Sequence, residues 1–175
     1  MSKKVSYKME NISASKQLDI HEKYESLRER LAYYLLIQVY TFLQTSGMSS
    51  VPDAMKRLVE KASDMNVAEA SQHTSENHAE VLASQLMRHM GETFSSKYHV
   101  EKGERRFNVV LERCGCIESV IQRSKDFGLG EKECRAIFCG TCMGGYRTAA
   151  EKLGLNFDGA LSRNGCHMDF NGIGH

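Results

Sequence analysis

The chain has 175 residues, 41% hydrophobic and 26% charged, with a formal net charge of +1. That length buries a core without disulfide staples, and the balanced charge offers no field that would draw nucleic acid or an anionic membrane. No apolar run stands near the N-terminus, and the stretch Leu31 to Val39 is too short to span a bilayer, so a cytoplasmic protein with no nucleic-acid or membrane partner is expected.

Residues 1–18 are polar and read as an arm. Residues 19–175 read as one α+β domain, with a helical half over 19–100 and a cysteine-rich strand–helix–strand half over 101–175. From Asp19 to Gln44 the residues Tyr24, Leu27, Leu31, Tyr34, Leu35 and Val39 recur at helical spacing. Leu36, Ile37 and Phe42 widen that stripe, which suits a central helix or half of a homodimer interface. Gly47 to Pro52 is a break, and a second helix is expected over Asp53 to Met65. Residues 66–77 are polar and read as a loop or weak helix. His78 to Ser95 follows as a helix with Val81, Leu82, Leu86, Met90 and Phe94 on one face.

The texture then changes. Phe107, Val109 and Leu111 alternate with Asn108, Val110 and Glu112, the pattern of a strand with one buried face. Ile117 to Phe127 reads as a short helix stopped at Gly128, and Glu131 to Leu153 as a longer one. Within it, Gly144-Gly145 marks either close packing or a break. Leu155 to Leu161 and Gly165 to Phe170 read as strands joined by Ser162, Arg163 and Asn164. The expected architecture is N-terminal helices packed on a small antiparallel sheet formed mainly by the C-terminal half.

All six cysteines fall in this half: Cys114, Cys116, Cys134, Cys139, Cys142 and Cys166. In a reducing compartment they are candidate ligands, nucleophiles or small core residues before they are disulfides. Cys134, Cys139 and Cys142 echo one iron–sulfur ligand run, and a zinc site or iron–sulfur cluster would need a fourth thiolate from Cys114, Cys116 or Cys166. Cys139 and Cys142 could also form a redox pair, although helical residues precede them where a helix N-terminus would be wanted. Cys139 or Cys166 is the candidate nucleophile. On a strand Cys166 and Met168 share one face, and His167 and Asp169 the other, where they form a candidate acid/base pair. Arg113 and Arg147 are candidate carboxylate binders, with Met143 and Tyr146 as further ligand contacts.

The stretch Phe107 to Phe170 resembles the L-2-amino-thiazoline-4-carboxylate hydrolase-like family and its vinyl-reductase-type relatives. The resemblance lies in a strand ending in Arg113-Cys114, a helix running to Gly128-Leu-Gly130, then Glu133-Cys134 and Cys139, and a final strand Gly165-Cys166-His-Met-Asp169-Phe170. It implies a fold akin to ligand-binding domains of the TRAPP and haem-sensor type, often dimeric, with Cys114, Cys139 and Cys166 around a pocket. For the hydrolase-like branch it implies opening of a thiazoline ring by C–N hydrolysis. For some vinyl-reductase-type sensors it implies zinc held by cysteines and a Glu, but Asn156-Phe-Asp-Gly-Ala160 stands where these carry Glu-x-x-Cys. The functional expectation is a protein that binds a small molecule in a cysteine-lined pocket that is also a candidate metal site. Two alternatives are a non-enzymatic ligand sensor and a zinc or iron–sulfur protein.

Overall fold

The computed structural model describes residues 51–72 and 77–172, together with residues 20–22, 24, 25, 27, 28, 31 and 35. The described positions between Ile20 and Leu35 are helical. The 1–18 arm, the rest of the expected 19–44 helix and the break before Val51 lie outside the described residues.

Helix α1 spans Val51–Ala70 and places Pro52 in its first turn, where the missing N–H costs nothing. It runs five residues past the expected Met65, through the polar Asn66-Val67-Ala68-Glu69 segment. Helix α2, His78–Leu86, is capped by the Asn77 side chain, which accepts from the Glu80 N–H. It continues as a π-turn over Met87–Glu92. Strand β1, Lys97–Lys102, leads into β2, Arg106–Arg113. Helix α3 covers Gly115–Ser124 and ends in a 3₁₀ turn, Lys125–Phe127. A short α4, Glu131–Cys134, passes through a second π-turn, Arg135–Cys139, into α5, Gly140–Lys152. Strands β3, Leu155–Leu161, and β4, Cys166–Gly172, are the last regular elements among the described residues.

The four strands form one antiparallel sheet in the order β1-β2-β4-β3. This is the expected α+β architecture. The one strand not anticipated is β1, which begins inside the half read as helical. Its apolar positions are only Tyr98 and Val100, set between charged residues. The helices cover one face of the sheet: α2 lies on β2 and β4, and α5 on β3. Helix α1 packs mainly on α5 and adds a further layer. Gly144 and Gly145 answer to close packing rather than to a break. A Cβ on either would come within 2.9 Å of Val59 or Ala62 of α1, so the two helices can touch backbone to side chain only without one.

Two apolar clusters result. The larger joins Leu82, Leu86, Val109, Met168 and Phe170 to Tyr146 of α5. There, Phe170 meets Tyr146 and Phe157 edge-on at centroid distances of 5.9 and 5.6 Å. The smaller gathers Phe94, Ile117, Val120 and Cys134 beneath α3 and α4. The helical segment from Ile20 is tied to this side: the Tyr24 hydroxyl donates to the Glu92 carbonyl, and Arg28 donates to that of Phe94 at 3.3 Å. Among the described residues no helix is long and apolar enough to cross a membrane.

Candidate functional site

The seam between the two clusters is where the cysteines collect. Cys114 precedes α3 in extended conformation and donates its backbone N–H to Asn164. Cys116 stands in the first turn of α3, Cys139 closes the second π-turn, Cys142 opens α5 and Cys166 begins β4. These five thiols surround a chamber of about 40 Å³ together with Met90, Met168, Leu111 and Phe138. Two glycines make the gathering possible. A Cβ on Gly165 would sit 1.8 Å from the Leu111 carbonyl oxygen, and one on Gly115 would sit 1.9 Å from that of Phe94. The backbone on either side of the chamber therefore passes closer than any side chain allows. Cys134 is different: fully buried in the smaller cluster, it is a packing residue and does not line the chamber.

Four of the chamber thiols are poor nucleophiles as they stand. Burial, with neighbouring thiols adding to it, pushes Cys139 up to about 11 and Cys166 up to about 12. Burial also raises Cys116 and Cys142 well above their ordinary range. Cys116 lies where a helix dipole would lower a thiol pKa, but desolvation outweighs the dipole. Cys139 and Cys142 have no such dipole, because the helical run starts upstream at Glu131.

Beside the chamber lies a larger cavity of about 620 Å³. Helix α1 contributes Leu58, Ala62, Met65, Asn66 and Glu69 to its wall. His89, Ile137, Thr141 and Tyr146 come from the π-turns and α5, and Leu35 from the N-terminal helix. Met90, Cys116, Phe138 and Cys142 line both spaces, so the two share a wall. Polar groups are few. Glu69 pairs with Arg88 and lies 3.6 Å from His89 Nε2. Burial and the Arg88 charge lower the His89 pKa, favouring the neutral ring. Among the described residues the buried hydroxyls of Thr141 and Tyr146 have no hydrogen-bond partner.

Of the residues singled out from sequence, Cys114, Cys116, Cys139, Cys142 and Cys166 line the chamber, and Tyr146 lines the larger cavity. Met143 packs against the larger cluster instead. His167 and Asp169 lie on the opposite sheet face, as strand alternation requires. There they do not pair: Asp169 accepts from Arg106 Nε at 2.7 Å, and the acidic group nearest His167 is Asp158 at 3.9 Å. Arg113 is engaged with Glu118 at 2.7 Å and with the Ser95 carbonyl at 2.9 Å. The exposed Arg147 stacks over Phe157 at 5.5 Å. His89, Glu69, Asn66, Thr141 and Ile137 were not anticipated. His89 sits next to Met90 of a predicted apolar face, and Asn66 and Glu69 stand in a segment read as a loop or weak helix. Among the described residues, no three His, Cys, Asp or Glu side chains are grouped to hold a metal ion. No protein-family profile, curated protein or solved structure matches the chain.

Proposed function

We propose that the protein binds a small, largely apolar molecule in the 620 Å³ cavity. The thiols form the inner end of the site rather than a catalytic centre. The wall shared by Met90, Cys116, Phe138 and Cys142 carries this reading, because it sets an organic-sized space against a sulfur-lined one. The volume falls within the roughly 300–1,000 Å³ of small-molecule sites. The resemblance to hydrolase-like and vinyl-reductase-type domains also supports a small-molecule site. Binding is favoured over C–N hydrolysis because His167 and Asp169 lie across the sheet from the thiols, and burial raises the Cys139 and Cys166 thiols above their ordinary range. Titration with the neutral fluorophore N-phenyl-1-naphthylamine tests this. Saturable emission should appear with the native chain and weaken in Ile137→Trp, which places an indole in the cavity wall. No saturable binding, or equal binding by that variant, rejects the reading.

We also propose a homodimer through the N-terminal helix. The support is its exposed apolar side chains: Ile20, Leu27 and Leu31 are 87%, 64% and 37% accessible.

A further inference from the structure

We infer that the inner chamber is a binding site for a soft monovalent cation, Cu(I), held by sulfur alone. The argument starts from the donor set. Five thiols and the thioethers of Met90 and Met168 line the chamber, and its other lining residues are apolar or glycine. No His, Asp or Glu lines it among the described residues. Thiolate and thioether donors select Cu(I), whereas carboxylate and carbonyl oxygens suit the hard divalent ions.

Size and charge point the same way. A space of about 40 Å³ admits an ion or about one water, not an organic ligand. Divalent zinc in a structural site wants four donors arranged tetrahedrally. Among the described residues no three Cys, His, Asp or Glu side chains are so grouped. Cu(I) needs fewer: two thiols with one thioether suffice, a set that requires no group of three cysteines. One thiolate cancels its single charge, so the loaded chamber is neutral and its burial carries little Born penalty. On binding, one thiol gives its proton to water, a copper–sulfur bond forms, and no electron is transferred. Met90 sits in a π-turn and Met168 on β4, so the two thioethers approach from different elements.

This inference rests on the sulfur lining and stands apart from occupancy of the larger cavity. The test is an anaerobic titration of the reduced full chain with Cu(I) delivered as its bicinchoninate complex. The chain should withdraw one equivalent, read as loss of the chelator's visible absorbance, and X-ray absorption should show a sulfur-only shell. The double variant Cys116→Ser/Cys142→Ser, which keeps three thiols and both thioethers, should withdraw copper more weakly, and His167→Ala should keep full withdrawal. Absence of withdrawal by the native chain, or nitrogen or oxygen in the shell, overturns the inference. So does undiminished withdrawal by a folded double variant. Should that variant not fold, the absorption shell of the native complex and the Met90→Leu/Met168→Leu variant, expected to bind more weakly, decide the matter. Failure here with fluorophore binding intact removes the copper site alone; the converse removes only the small-molecule reading.

Discussion

The two faces of β4 differ more than any two regions that are neighbours in sequence. On the helix side stand Cys166, Met168 and Phe170, all buried, with sulfur turned into the chamber. On the other side His167 and Asp169 meet Asp158 and Arg106 near solvent. One residue's step along a strand thus separates buried sulfur from imidazole and carboxylate. Cys166 and His167 adjoin in sequence, and the pleat sets them on opposite faces, as strand alternation predicts.

The comparison breaks most readily at Met168. Truncation to Ala should cost about 3 kcal/mol, since the side chain is 1% exposed and touches the main cluster. A urea midpoint near that of the native chain would show that this face is not core. Gly165→Ala should cost about 2 kcal/mol by forcing β4 from the Leu111 carbonyl, measured the same way. By contrast His167→Ala, one residue from Met168, should change stability by no more than about 0.5 kcal/mol.

A pH series sharpens the same contrast. Cys139 and Cys166 are raised from an ordinary 9.0 to about 11 and about 12, so the unfolded chain loses these protons first as pH rises. Stability from these thiols is therefore fully present below pH 9 and is lost as pH climbs through about 11 to 12. Thermal midpoints should hold through neutral pH and fall above pH 9. A flat profile through pH 11 would contradict the buried thiols. The smallest expected effect on stability comes from Leu27→Asp/Leu31→Asp on the exposed N-terminal stripe. That variant should convert a dimer to monomer by size-exclusion while leaving the midpoint nearly unchanged.

Much of the fold was legible because its signals are local. The alternation Phe107-Asn108-Val109-Val110-Leu111 marks β2, and the apolar spacing from Val81 to Phe94 marks α2 and its π-turn. Strand β1 was not legible, because Tyr98 and Val100 alone are too few to show a period. The extension of α1 was hidden by the polar Asn66 to Glu69, which turn out to flank a cavity. Of the site, the cysteines were found by crowding alone. Their sorting into five chamber residues and one core residue depends on where α3, α5 and β4 meet, a tertiary fact. His89 and Thr141 were missed for the same reason: nothing in their neighbours says that a cavity lies beside them. Arg113 and Arg147 looked like ligand binders, but Glu118, Ser95 and Phe157 occupy them.

The most direct test of the central claim, that the thiols form the inner end of a ligand site, is iodoacetamide labelling followed peptide by peptide. It is run with and without saturating N-phenyl-1-naphthylamine. The account predicts that the fluorophore slows modification of Cys142 and Cys116, which line the shared wall, and raises global stability to denaturant. Labelling of Cys142 and Cys116 at the same rate with the fluorophore bound would contradict it.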